Sequence, residues 1–377
     1  MQHLKQDSAS DISELPVLNV TAQMVLLCAW RTVKEVSLFL GELSEQAPIS
    51  SAEDSDECHG KSLLTEEQVL TIGSHLAMLL VETKHRGAFE QAYVGFCKLC
   101  GRLWRHPSAR LHNLPRLWMK ELMDIITWGK GTKLCATRRS AGLPFMVQAF
   151  LTTELQVGGN TSCFRQSMAA LLELADVTDN RAGARRSINA ISGTATEDSV
   201  GNSTASDPSN IAENFKILYV STESSDCVDT VEARIHALNI LRSLFRHSVL
   251  GESVTPYIAQ GVIVAIQGFK GKTWAERNSA TLLFSALVTR IFGVHRSREE
   301  LSIRNRMTGR IFFLRYPSLY EFLLEELKEA IASMEECYSS LQPGLFPVLL
   351  LLSRLYPSSL EGTDSNLQDR GEMHTNL

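Results

Sequence analysis

Two adjacent arginines, Arg138 and Arg139, are the residues whose type and spacing most clearly suggest a chemical role. Gly142 and Pro144 follow them and indicate a turn, and an apolar run comes next. A guanidinium group presents several N–H donors in a planar fork that fits phosphate or carboxylate oxygens, but it makes and breaks no bonds itself. The segment therefore predicts a binding surface and not an active site.

A longer basic stretch surrounds this pair. Residues 98–139 hold ten lysines or arginines against two acidic residues, a net charge of +8 in a chain whose formal net charge is -5. Such segregation predicts a surface that faces an anion. Trp104, Trp118 and Trp128 lie among these cations and could stack on nucleic-acid bases. The alternative is that the tryptophans fill a helical core while the cations occupy its solvated face.

A second basic stretch, 290–315, contains seven arginines and no lysine. Guanidinium groups bind phosphate with two parallel hydrogen bonds and stack on bases, which ammonium groups do not. Four of its polar residues fall in or beside a predicted turn between helices: Arg304, Asn305, Arg306 and Arg310. They are interpreted either as a grip on folded nucleic acid or an acidic partner, or as an internal staple between adjacent helical repeats.

Motifs for catalysis are incomplete. The Gly-Lys-Thr at 271–273 resembles the end of a phosphate-binding loop, but residue 266 is isoleucine where that loop needs glycine, so a helix-to-helix turn capped by Thr273 is favoured. Cys97 and Cys100 have metal or redox spacing without a second pair and are interpreted as buried structural thiols. His236 and His247 lack a nearby nucleophile motif and are placed at the surface or core edge. No enzyme activity, metal or cofactor is predicted.

Composition bounds the class of protein. Hydrophobic residues make up 44% of the 377 residues, and the eight cysteines are scattered, which is typical of a folded protein in a reducing compartment. The first ten residues lack the apolar core of a signal peptide, and the apolar run at 345–352 is short and contains a proline. We therefore expect a cytoplasmic protein without membrane insertion.

Apolar residues recur at helical spacing along most of the chain. Capping-box sequences, in which a hydroxyl and an acid or amide satisfy backbone donors at a helix start, occur at 65–68, 273–276 and 318–321. Pro115 fits a first helical turn. The sequence predicts an all-α, armadillo- or HEAT-like α-solenoid of about eleven helices, with two mobile polar loops. The helices are predicted at 17–41, 65–83, 87–104, 115–128, 142–154, 163–176, 231–247, 255–269, 273–292, 317–335 and 344–356.

Polar segments divide the chain. Residues 42–62 and 178–213 cannot bury enough apolar surface to offset the entropy of ordering, so both are predicted to be mobile loops. The resulting organisation is a polar segment at 1–16, a first part of the solenoid at 17–177, a disordered loop at 178–213, a second part of the solenoid at 214–357 and a disordered tail at 358–377.

Five ordered segments resemble the conserved domain of the thyroid adenoma-associated protein (THADA) family: WRTVKEVS at 30–37, RRSAGLP at 138–144, HALNILR at 236–242, WAERNSATLLF at 274–284 and NRMTGR at 305–310. The resemblance implies an armadillo-like, non-catalytic partner of an FtsJ-type methyltransferase that 2′-O-methylates nucleotide 32 of the tRNA anticodon loop. Gly142 and Pro144 would shape the turn. Two sets of residues would contact tRNA or the methyltransferase: Arg138 and Arg139 first, then Arg304, Asn305, Arg306 and Arg310.

The predicted function is an adaptor that positions tRNA for this separate methyltransferase, which supplies S-adenosylmethionine and catalysis. Two alternatives stay open: a helical-repeat scaffold that binds proteins without touching RNA, and an independent enzyme, for which no cofactor site is found. Members of the THADA family are several times longer, so the chain is expected to be a fragment or a short isoform.

Overall fold

A computed structural model describes residues 21–50, 64–83, 85–128, 142–159, 161–177, 181–191, 230–293, 307–336 and 343–357. These residues form thirteen α-helices and one two-residue parallel strand pair, β1 (Ile49–Ser50) and β2 (Leu64–Thr65). The helices are α1 (Ala22–Gln46), α2 (Glu66–Glu82), α3 (Arg86–Leu103), α4 (Ala109–Trp128), α5 (Leu143–Val157), α6 (Ser162–Ala175), α7 (Arg181–Ile191), α8 (Thr230–Arg246), α9 (Ile258–Gly268), α10 (Trp274–Phe292), α11 (Gly309–Arg315), α12 (Ser318–Glu336) and α13 (Leu345–Leu352).

One layer of the molecule consists of α1, α3, α5, α8 and α10, each in contact with the next. Contacts between corresponding ends show that α3 runs parallel to α5 and that α8 runs parallel to α10. Near the starts of α3 and α5, the rings of Phe89 and Phe145 lie 5.4 Å apart. Near the ends of α8 and α10, Arg290 donates from Nε to the carbonyl of Phe245 at 2.8 Å. The all-α, solenoid-like fold predicted from the sequence is therefore confirmed.

The connecting helices α2, α4, α6 and α9 return the chain. Leu80 near the end of α2 lies beside Gly142 at the start of α5, and Asp176 at the end of α6 lies beside Arg234 near the start of α8. We call the edge where α3, α5, α8 and α10 begin the start edge, and the edge where they finish the end edge. The start edge also carries the last residues of α2, α4, α6 and α9. Loops that join the two layers consequently lie at one edge or the other.

The tryptophans of the first basic stretch belong largely to the core. Trp118 is fully buried and Trp104 is 3% exposed. Trp118 stacks near Phe96 and fills the space left by Gly73 of α2, whose added Cβ would lie 2.5 Å from the indole. Of the two interpretations of these residues, the structure supports the helical core.

Helix starts follow the capping predictions in part. Thr65 and Gln68 form the complete capping box. Thr273 caps α10 through the amide of Glu276, but the Glu276 carboxylate turns away to Arg234. The prediction for Pro115 is wrong: α4 begins at Ala109 and the proline lies inside it. The buried apolar face of α4 continues through this position, and packing offsets the missing N–H.

Two helices were not predicted. The expected loop at 178–213 contains α7, whose residues Ala184, Ile188 and Ile191 are buried along one face. The rest of that loop, 178–180 and 192–213, lies outside the described residues. The predicted turn at 304–310 leads into α11, which Thr308 caps by accepting from the amide of Ile311. Both helices are short: α7 has few apolar residues among polar ones, and the four apolar residues of α11 are consecutive, so neither shows a long helical periodicity.

His236, expected at the surface or core edge, is instead buried in α8, where desolvation lowers its pKa to about 4. The carboxylate of Glu232, 4.0 Å from Nε2 and 44% exposed, is too solvated to offset this effect.

We expect His236 to make the protein less stable in mild acid. As pH falls below 6.5, His236 binds a proton in the unfolded chain, whereas in the folded state it stays neutral until the pH approaches 4. Acid therefore lowers the free energy of unfolding by up to roughly 3 kcal/mol. Urea unfolding at pH 7.0 and 4.5 should show a smaller loss in His236→Leu than in the wild type. Equal losses in the two proteins would contradict the role of this histidine.

Candidate nucleic-acid and partner interface

Arg138 and Arg139, the first predicted site, lie outside the described residues. They belong to the connection 129–141 between Trp128, the last residue of α4, and Gly142, which precedes α5.

Of the second predicted site, Arg304, Asn305 and Arg306 also lie outside the described residues, in the connection that follows α10 and ends at Met307. Arg310 is described, and it is exposed in the first turn of α11.

Gly142 is held against the neighbouring helix α2. It adopts ordinary right-handed angles, φ -82° and ψ -13°, so its place does not depend on a conformation reserved for glycine. An added Cβ would instead lie 1.9 Å from the carbonyl oxygen of Leu80. Pro144 occupies the first turn of α5, where its missing N–H costs no helical hydrogen bond. The turn that ends the Arg138–Arg139 connection is thus fixed by contact with α2.

Most described cations of the first basic stretch serve the fold. Lys98 of α3 pairs with Glu42 of α1. Three further pairs have N–O distances of 2.9 to 3.8 Å: Arg110 with Glu66, Arg116 with Glu154, and Lys120 with Asp124. The continuous anion-facing surface predicted from net charge is therefore reduced to a smaller set of side chains.

Three arginines complete the carboxyl ends of helices to which they do not belong. Arg102 of α3 donates to the carbonyl of Glu45 in α1. Arg234 of α8 donates to the carbonyl of Asp176 at the end of α6, at 3.0 Å. Arg290 of α10 donates to the carbonyl of His247 after α8, at 2.7 Å. Arg290 thus fits the second interpretation of its stretch, a staple between adjacent helices.

Glu154 of α5 caps the amino end of a neighbouring helix, α6. Its carboxylate accepts from the amides of Cys163 and Phe164 at 3.1 and 2.8 Å, at the start of α6. Burial raises the pKa of Glu154, while these amides and Arg116 favour the charged form. The site is structural, because its oxygens are occupied by the next helix.

A cationic cluster at the start edge was missed in the sequence. Arg181 and Arg185, one turn apart on α7, have their guanidinium carbons 5.5 and 5.6 Å from the centre of the Trp128 ring. Arg186 is exposed beside them. We call Trp128, Arg181, Arg185 and Arg186 the α7 platform. Two features of the sequence could have revealed it. The eleven residues of α7 contain three arginines and no acidic residue, and the apolar residues Ala184, Ile188 and Ile191 follow one another at helical spacing.

The two cysteines at 97 and 100 and the Gly-Lys-Thr turn at 271–273 have structural roles. Burial raises the pKa of Cys97 to about 11 and also raises that of Cys100, so neither thiol is activated. Arg277 donates to the carbonyls of Gly271 and Lys272, which holds that turn closed. Within the described ranges, no three potential metal ligands lie together. No described helix is long and apolar enough to cross a bilayer.

These features define a class: an α-helical repeat protein whose described ionic groups mainly join its helices. The chain belongs to the family described as THADA/TRM732, DUF2428, whose domain matches residues 1–275. A second domain, described as Trm732, C-terminal TPR repeats, matches residues 277–375. The helical-repeat character seen in the structure agrees with both matches.

Proteins of the same family are similar to this chain over most of its length. The tRNA (32-2'-O)-methyltransferase regulator THADA of Drosophila melanogaster is 43% identical over 374 residues, covering 94% of this chain and 19% of the relative. The human protein of the same name is 40% identical over 366 residues, covering 96% and 16%. The tRNA (32-2'-O)-methyltransferase regulator trm732 of Schizosaccharomyces pombe is 25% identical over 352 residues, covering 91% and 19%.

The chain thus spans less than a fifth of the length of these relatives. No solved structure matches it.

Proposed function

We propose that this chain is a non-catalytic adaptor that positions tRNA for 2′-O-methylation of nucleotide 32 by a separate, FtsJ-type methyltransferase. The observation that carries the proposal is the 43% identity, over nearly the whole chain, to a protein named as a regulator of that methylation. A cytoplasmic location is part of the proposal.

The adaptor acts by orientation. The methyltransferase supplies S-adenosylmethionine and the chemical step, and the adaptor holds the anticodon loop where the ribose hydroxyl can react, which replaces a rare encounter by a local one. Arg138 and Arg139 are the first residues proposed for this contact, because two adjacent guanidinium groups suit phosphate oxygens. Arg304, Asn305, Arg306 and Arg310 are proposed as a second contact.

The test is methylation of tRNA by the FtsJ-type enzyme with the wild-type chain, with Arg138→Ala/Arg139→Ala, and with neither. We expect stimulation by the wild type and a loss of at least roughly tenfold in the variant, since two charge-assisted contacts are removed. The matched control is Arg31→Ala/Arg246→Ala, which removes two exposed arginines of α1 and α8. Circular dichroism verifies that all three chains are folded.

The result has two clear alternatives. No stimulation by a folded wild-type chain would reject the adaptor function for this chain. Equal stimulation by the wild type and the Arg138/Arg139 variant would keep the adaptor but remove these arginines from it.

The second candidate is a protein-interaction scaffold that never touches RNA. It is favoured by one observation, the number of described arginines that join helices to one another. Under this proposal tRNA binding by the isolated chain is no stronger than that of a charge-matched, unrelated helical protein. Methylation would then be stimulated through the enzyme alone.

A further inference from the structure

We propose that the α7 platform binds the phosphate backbone of the tRNA. This inference rests on the proposed adaptor function and adds to it a contact on a different segment of the chain. Neither the five segments that resemble the THADA family nor the predicted site residues include Arg181, Arg185 or Arg186.

The first argument is that the platform arginines are not all needed to hold the fold. Helix α7 is attached through its buried face, formed by Ala184, Ile188 and Ile191. Arg185 and Arg186 are exposed, and neither meets a carboxylate or a carbonyl in the part of the chain that the structure describes. Several other described arginines, such as Arg110 and Arg290, have such a partner. Cations left without acids suit an anionic ligand from outside.

The second argument concerns hydrogen-bond donors. A cation above an indole ring is attracted by the ring's negative face, and this contact uses none of the five N–H donors of the guanidinium group. Trp128 therefore orients Arg185 while leaving its donors available for two parallel bonds to a phosphate. Since Trp128 has two arginines close to its ring, the three side chains limit one another's freedom and the ordering cost on binding falls.

The third argument is the number of charges. Arg181, Arg185 and Arg186 lie within about one and a half turns of α7, so three positive charges are carried by one short helix. Several adjacent cations fit a polyanionic strand better than a single carboxylate on a protein surface.

The test measures binding of unmodified tRNA to the full chain by fluorescence anisotropy at several salt concentrations. Arg185→Gln/Arg186→Gln should weaken binding at least roughly tenfold and lower the slope of log affinity against log salt by about 1 for each phosphate contact removed. Arg185→Lys/Arg186→Lys keeps the charge but loses the planar fork, and should fall between this variant and the wild type. Arg31→Gln/Arg246→Gln is the control with the same change of charge.

Several results would overturn the proposal. Unchanged affinity in the glutamine variant would reject the platform while leaving the adaptor function intact. An equal loss in the control would show a nonspecific effect of net charge. Loss of methyltransferase binding with normal tRNA binding would assign the platform to a protein partner. If the wild type binds no tRNA, the platform is rejected, and the methylation assay with the Arg138/Arg139 variant decides separately whether the chain is an adaptor.

Discussion

Arg234→Met is expected to lower the free energy of unfolding by about 3–5 kcal/mol, because it leaves a buried carboxylate without its partner. Arg234 Nη1 lies 2.8 Å from Glu276 Oε1, and the two side chains are 11% and 3% exposed. Its Nη2 donates to the carbonyls of Asp176 and Val177 at 3.0 and 3.3 Å. One guanidinium group thus joins the end of α6 to α8 and α10. Urea unfolding monitored by circular dichroism measures the loss.

A double variant separates the ion pair from general packing. Arg234→Met/Glu276→Leu removes both charges, and apolar replacement of a buried pair is often nearly neutral, so most of the lost stability should return. Arg246→Met, which replaces an exposed arginine on α8, should change stability by less than about 0.5 kcal/mol. A double variant no more stable than Arg234→Met would show that the pair itself contributes little and that the loss comes from shape.

Gly142→Ala is expected to destabilise the protein by about 3 kcal/mol, at the upper end of typical overpacking effects. The new Cβ would lie 1.9 Å from the oxygen of Leu80 and 2.7 Å from its carbonyl carbon. Both atoms belong to backbone and cannot turn away as a side chain would. The φ of -82° is allowed for alanine, so any loss is due to this contact and not to backbone strain. The midpoint of urea unfolding is the measurement.

The matched control is Gly101→Ala in α3, where the nearest atom to an added Cβ would be Thr153 Cγ2, 4.0 Å away. Alanine is the better helix former, so this change should stabilise by up to about 1 kcal/mol. If Gly142→Ala still folds, it should also reduce methylation, because any shift of Gly142 moves Arg139, three residues away. If Gly142→Ala is as stable as the wild type and stimulates methylation equally, then α2 moves easily to accommodate the new methyl group and does not fix the connection.

The helices could largely be predicted because their signals are local. Apolar spacing identifies a helix from its own residues, and the Thr65 capping box needs only four of them. Helix α7 escaped prediction because polar composition outweighed a face of three apolar residues. Pro115 was placed at a helix start because local rules cannot weigh the packing that extends α4 past it.

The candidate site was less predictable. The charge of a residue can be read from the sequence, but its partner depends on the tertiary structure. Sequence identifies Arg102, Arg234 and Arg290 as cations, but whether each meets a ligand or a carbonyl of another helix depends on how the layers stack. The need for glycine at position 142 could not be predicted correctly either. The sequence suggests a special backbone conformation, whereas the close contact with Leu80 is known only once the position of α2 is known.

The exchange of helix caps between neighbours has a consequence for folding cooperativity. Glu154 completes the start of α6, and Arg234 completes its end, although neither residue belongs to that helix. An excised α6 would lose both partners and expose unsatisfied backbone groups at each end. Nearest-neighbour coupling in a repeat array is usually carried by apolar contact. Here hydrogen bonds add to it, so adjacent helices should form and melt together as one unit and not one at a time.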